Sequence, residues 1–251
     1  MPAPARIVAV PSAAPAAVAP PADWIETPTA ARIVAALAFA QATSDVAVIY
    51  GAGGVGKTCT ARHYAADMAN AWHAIMTPAT AGVVPALEEV CAALGIPPSN
   101  GAAPLHRSIV KRVAGTGGLL IVDEAQHLAP AALDQLRSIH DAAGIGVALL
   151  GSRDVYARLV GGDTAATLDR LRSRVGRRLH LTATTADDTA AVAAARGIGT
   201  ADARKTLAEI GAKAGGLRGV AKVLRLASLH AAGRALTDAD LRAAWRELGG
   251  A

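Results

Sequence analysis

Gly51-Ala-Gly-Gly-Val-Gly-Lys57-Thr58 follows directly on Val46-Ala-Val-Ile-Tyr50. The spacing is G-x-x-x-x-G-K-[ST], which belongs to a phosphate-cradling loop between a strand and a helix. The β-branched run reads as a buried strand, and residues 59–69 read as the helix. Glycines let the backbone curl with its N–H groups turned inward, towards an anion at the helix N-terminus. Gly51, Gly53, Gly54, Val55 and Gly56 are the candidate cradle. Lys57 would reach the β- and γ-phosphates of a nucleoside triphosphate, and the Thr58 hydroxyl would hold Mg²⁺. Cys59 follows on the same helix, either beside the phosphates or as a small core residue. A glycine-rich turn that happens to contain Lys-Thr is the bland alternative, and the flanking strand and helix argue against it.

From this loop outward the chain alternates. Strands are expected at 46–50, 72–76, 118–122, 146–151 and 177–181. Helical patterns lie at 30–42, 57–70, 83–94, 104–114 and 130–143, with short helices near 154–173. Such alternation predicts an α/β fold, a parallel five-stranded sheet covered by helices on both faces. Ligands of such sheets sit at the carboxyl ends of the strands, where the loop lies. After Leu181 the strand signal stops. Amphipathic patterns at 185–196, 201–214, 217–232 and 238–248 are separated by Gly197, Gly215-Gly216 and Gly233. They predict a small helical lid over residues 182–251, after a core at 23–181. Residues 1–22 hold six prolines and nine alanines, with Arg6 as the sole charge. Proline breaks helices and removes donors, so a disordered or extended arm is expected there. A signal peptide is a weak alternative, because Pro11 and Pro15 interrupt its apolar stretch.

A second motif, Leu119-Leu-Ile-Val-Asp123-Glu124, reads as a buried strand ending in two carboxylates. Asp123 can bind the metal held by Thr58. Glu124 can orient and deprotonate a water attacking the γ-phosphate. The pair therefore points to hydrolysis of ATP rather than passive binding. The strand at 147–152 ends at Ser152, which either touches the γ-phosphate or simply enters a turn; Arg153 is a neighbouring candidate. Five arginines then occur between Arg170 and Arg178. Arginine stabilises charge on transferring phosphoryl oxygens, in cis or from a neighbouring subunit. Arg174 is the first choice for such a finger, with Arg172 and Arg178 as alternatives; others of the five must form a solvated face. Arg218, in Gly215-Gly-Leu-Arg218, starts a helix of the second region. It can reach back to the nucleotide and report it to the lid, or be an ordinary surface arginine.

Composition adds limits. Hydrophobic residues make up 52% of the 251 and aromatics 3%, so a large core is available but must be built from Ala, Val, Leu and Ile. Few aromatics argue against a stacking platform for single-stranded nucleic acid. A formal net charge of +5 permits a polyanionic partner without establishing one. Two cysteines, Cys59 and Cys91, make neither a disulfide framework nor a zinc site, which fits a reducing cytoplasm. No apolar run is long enough for a membrane span.

In this order the motifs resemble the AAA+ ATPase superfamily: a phosphate loop, a Walker B Asp-Glu, a sensor 1 strand, an arginine-finger segment, and a helical lid with a sensor 2 arginine. Within it, three segments are similar to the family of phage Mu transposition protein B. They are Asp23-Trp-Ile-Glu-Thr-Pro-Thr-Ala-Ala-Arg-Ile33, Ala74-Ile-Met-Thr-Pro-Ala-Thr-Ala-Gly-Val-Val84 and Val122-Asp-Glu-Ala-Gln-His-Leu128. The resemblance implies an ATP-dependent, non-sequence-specific DNA-binding ATPase. Its partners would be double-stranded DNA, a transposase and copies of itself in a helical filament or ring. Its place would be the cytoplasm, that of the host cell if a phage encodes it. The family's helix-turn-helix domain has no counterpart in the Ala/Pro arm. Arg107, Lys111 and Arg112, on the helix before Asp123, stand about where relatives place DNA-facing basic residues; a solvated helix face explains them equally. The alternative function is a soluble AAA+ switch of the secretion-ATPase type, acting on a protein partner without DNA. A replication loader is a third, and no winged-helix segment follows the lid to support it.

Overall fold

The computed structural model describes residues 24–97, 99–160 and 165–250. The expected arm at residues 1–22 lies outside them. Five strands form one sheet: β1 (Val46–Gly51), β2 (Ala71–Ile75), β3 (Leu119–Asp123), β4 (Gly146–Gly151) and β5 (Val175–Leu181). Their spatial order is β2-β3-β4-β1-β5, and every neighbouring pair is parallel. The strand with the glycine loop therefore lies inside the sheet, between β4 and β5. Parallel strands buried on both faces are near-continuous apolar runs, as β1, β3 and β4 are.

Side chains alternate between two cores. Val46, Val48, Leu120, Val122, Val147 and Leu149 face one side. That side is covered by α3 (Val83–Leu94), α4 (Ala102–Val113), α5 (Pro130–Ala143) and α7 (Ala165–Arg172). Ala47, Ile49, Leu119, Ile121, Ala148 and Leu150 face the other, against α1 (Pro28–Thr43) and α2 (Lys57–Asp67). The period of two along each strand produces this division. Local chemistry sets the helix ends. Thr27 caps α1 through the Ala30 N–H, and Pro28 occupies the first turn, where its missing N–H costs nothing. Gly144 closes α5 in the left-handed region. After α6 (Arg153–Val160) and α7, the chain enters β5 two residues earlier than the sequence indicates. The earlier start adds Val175 and Gly176 to a strand that carries Arg177 and Arg178. An edge strand with an exposed face accommodates such charges.

Beyond β5, four helices gather round a third apolar cluster that includes Leu207, Ile210, Val223, Leu224 and Leu241. They are α8 (Ala186–Ala195), α9 (Ala201–Ala212), α10 (Gly216–Ala231) and α11 (Asp238–Glu247). Asp188, fully buried in the first turn of α8, ties this group to α1. It accepts the Thr29 N–H and hydroxyl, both at 2.8 Å, and the Thr185 N–H at 2.9 Å. Burial raises its pKa, but these hydrogen bonds outweigh that and hold the carboxyl below its ordinary value. Among the described residues no helix is long and apolar enough to cross a membrane.

Candidate nucleotide site

Sharp backbone turns at glycines shape the loop after β1. Gly51 has φ +132°, and a Cβ there would collide with the Leu181 carbonyl of β5. Gly54 has φ +79°, and a Cβ there would strike the Gly215 carbonyl at the root of α10. Helix α2 then begins at Lys57 behind Gly56, whose lack of a side chain leaves the first-turn N–H groups uncapped. Uncapped N–H groups at a helix N-terminus are an anion site.

A cavity of about 930 Å³ opens over this loop. Gly53, Gly54, Gly56, Lys57, Thr58 and Cys59 line its floor. Cys59 is exposed, so the core reading of that residue is wrong. Gly51 and Val55 are not part of the lining: Gly51 packs on β5, and the Val55 side chain is buried in the core. Glu124 faces the cavity from the core side and Arg218 from α10. Lys57 Nζ donates to the Gly51 carbonyl at 3.2 Å and the Ala52 carbonyl at 2.7 Å. Burial lowers its pKa, Asp123 and Glu124 partly oppose this, and Arg218 adds to the lowering. Lys57 and Arg218 are therefore close enough to repel, a pair of cations that an anion between them would relieve.

Asp123 ends β3 beneath the loop, 1% exposed. Burial raises its pKa, yet the neighbouring His73, the Thr58 hydroxyl and the Glu124 N–H bring it below the ordinary carboxylate value. The Glu124 N–H sits 2.9 Å from Asp123 Oδ1. Oδ2 lies 3.5 Å from His73 Nε2, too far for a good hydrogen bond, and both atoms are buried. A buried carboxylate oxygen left short of partners, beside a threonine hydroxyl, suits a small hard cation that takes its other ligands from phosphate and water. His73 was invisible in sequence. It is one polar residue in β2, and only the pairing of β2 with β3 sets it against Asp123.

Other expected site residues are placed differently. The Ser152 hydroxyl bonds Asp154 Oδ2 at 2.9 Å and accepts the Asp154 N–H at 3.2 Å. It serves as the entry cap of α6, as the turn reading has it. Arg174 is paired within its own chain: Nε lies 2.7 Å from Asp141 Oδ1 and Nη2 3.0 Å from Oδ2. Arg172 pairs with Asp169, and Arg178 lies over the Tyr156 ring at 5.8 Å. None of Ser152, Arg172, Arg174 or Arg178 lines the cavity. Arg107, Lys111 and Arg112 are exposed on α4, whose Leu105, Ile109 and Val113 face the core. Arg112 also lies 5.8 Å over the Trp72 ring.

The cavity also has an upper half that sequence did not assign. Trp24, Ile25, Leu217, Ala221 and Leu224 give it apolar walls, while Arg62, Arg196 and Arg225 add charge. The Trp24 ring stacks on His63 of α2 with centroids 3.6 Å apart. The lid helix meets the loop directly: the Leu217 N–H donates to the Gly54 carbonyl at 2.9 Å and to Thr184 Oγ1 at 3.2 Å.

A phosphate loop, a buried Asp-Glu strand end and a helical cap over one cavity, on a sheet of this order, define an ATPase of the AAA+ class. Residues 41–159 match the AAA domain model, and residues 173–248 match the model for the C-terminal part of the Mu B transposition protein. Two RuvB mutant structures from Thermotoga maritima share the fold. They are 17% and 19% identical, with TM-scores of 0.56 and 0.52 over 90% and 88% of this chain and 70% and 68% of theirs. The ATP-dependent target DNA activator B of Escherichia phage Mu is 36% identical, over 91% of this chain and 74% of its own length. The Mu-like prophage FluMu DNA transposition protein B of Haemophilus influenzae is 40% identical over 78% of this chain and 69% of its own. The chain belongs to the Mu B transposition protein family.

Proposed function

We propose that this ATPase is a target-DNA activator, an oligomer that grips duplex DNA in its ATP-bound form and presents it to a transposase. The reading rests most on the direct seam between the phosphate loop and the lid. Leu217 bonds the Gly54 carbonyl one residue before Arg218, which faces the same cavity as Lys57 and Glu124. Charge on the γ-phosphate would be shared by Lys57 below and Arg218 above, so occupancy of the site would set the lid's position. The phage Mu relative's printed name, ATP-dependent target DNA activator B, supports the extension to DNA.

The chemistry follows from placement. Thr58 and Asp123 would hold Mg²⁺, which when bound neutralises developing phosphate charge. Glu124 would take the proton of the attacking water. Arg174 would act on a neighbouring subunit's nucleotide, exchanging Asp141 for phosphate oxygens. Arg107, Lys111 and Arg112 would contact DNA phosphates without reading sequence. Residues 182–251 would be the lid, residues 23–181 the core, and the cytoplasm the place of action.

The test is DNA binding followed by filter retention or co-sedimentation. Binding should require ATP, weaken steeply with salt, and last longer with Glu124→Gln, in which hydrolysis is slowed. DNA retention that ignores both ATP and Lys57→Ala would sink the proposal. ATP-dependent binding of a protein partner with no DNA retention would instead establish the switch-type alternative.

A further inference from the structure

The Asp-Glu strand end carries a third polar side chain that the site as described does not use. Residues 125–127 form a single 3-10 turn, which carries Gln126 back across the end of β4. Its Nε2 donates to Glu124 Oε2. Its Oε1 accepts the Ser152 N–H at 3.1 Å. The amide has one orientation here. A backbone N–H can only donate, so the Gln126 carbonyl must face Ser152 and its amine must face Glu124. Gly151 gives this arrangement its room, since a Cβ at that position would collide with Gln126 Oε1. Glu124 needs such a restraint. Its backbone is in the left-handed region at φ +54°, uncommon for a residue with a long side chain, and its carboxylate opens onto the cavity.

We propose that Gln126 is a positioning residue that fixes the Glu124 carboxylate and couples it to the end of β4. One carboxylate oxygen is held by the amide, and the other stays open to accept a proton from water. The backbone of Ser152 anchors the amide, so any displacement of the β4 end moves Glu124 with it. This gives Ser152 a part through its N–H rather than its hydroxyl. The proposal rests on the reading of Glu124 as the base.

Steady-state and single-turnover phosphate release with the full chain test it, beside ATP-analogue binding and thermal melting. Gln126→Ala should lower kcat on the order of 10- to 100-fold, the cost of a loosely held reacting group. KM, analogue affinity and melting temperature should stay close to wild type. Gln126→Glu keeps the size and the acceptor for Ser152 but loses the donor to Glu124, so it should fall as far as Gln126→Ala. In a Glu124→Gln background, Gln126→Ala should cost nothing more, because the group it positions has already gone. Wild-type turnover in Gln126→Ala alongside an inactive Glu124→Gln overturns the proposal alone. So do losses that add fully in the double variant, or a loss confined to KM or melting temperature. Wild-type turnover in Glu124→Gln removes the base itself, and the positioning role with it.

Discussion

The phosphate loop and the stretch from Arg170 to Arg178 are each dominated by one residue type, glycine in the first and arginine in the second. They differ in how far the neighbours fix each position. Gly51 and Gly54 have dihedral angles that a residue with a side chain would adopt only under strain, and backbone carbonyls where a Cβ would be. Each does one thing that no neighbouring residue could do for it. The arginines instead have separate partners: Asp141 for Arg174, Asp169 for Arg172, the Ala35 carbonyl for Arg177 and the Tyr156 ring for Arg178. Those partners are exposed or half-exposed, and exposed ion pairs contribute little stability. The loop is complete within one chain, whereas the arginine stretch is free to exchange its partners for others.

The largest effect should come from Lys57→Ala, on the order of a 1000-fold loss of phosphate release, equal at all protein concentrations. A loss that varied with concentration would blur the contrast. Arg174→Ala should cost on the order of 100-fold, and only in assembled protein. Mixing Arg174→Ala with Lys57→Ala should recover activity, because one supplies an intact loop and the other an intact arginine. No recovery would place Arg174 outside the site. Gly54→Ala should destabilise the chain by about 2 kcal/mol through strain and collision, and weaken nucleotide binding along with it. An unchanged melting temperature would mean that loop and lid separate freely.

The smallest effect concerns Asp188. Its folded pKa is depressed, so its contribution is present above the unfolded value of about 3.9 and lost as pH falls through the folded one. Asp188→Asn should lower stability at neutral pH by about 1.5 kcal/mol. It should also flatten the acid limb of a stability profile below about pH 4. An acid limb unchanged in the variant would refute the assignment.

The same contrast explains what was legible in the sequence. Strands and helices were readable because β-branched runs, Thr-Pro starts and glycine stops act locally; α3, α5 and β4 fall on their expected bounds. Gly53, Gly54, Lys57 and Thr58 were readable for the same reason, since one turn of backbone sets their relation, and Glu124 was readable from its own apolar run ending in two carboxylates. His73 and Gln126 were not. His73 meets Asp123 only through strand register, and Gln126 meets Ser152 only because β3 and β4 are neighbours. The apolar upper wall of the cavity joins Trp24 to Leu217 and Leu224, which no local pattern connects. Asp188 could be read as a helix cap, but its bonds to Thr29 required the folded chain.

The contact of Gly54 with Gly215 and Leu217 also constrains how this sequence can drift. The two sites lie far apart in the sequence, yet Gly54 cannot acquire a side chain while the Gly215 backbone keeps its place. Substitutions should therefore be scarce where α10 begins and freer towards α11, so that lineages can remodel the far end of the helical cap for new partners while its attachment to the loop stays the same.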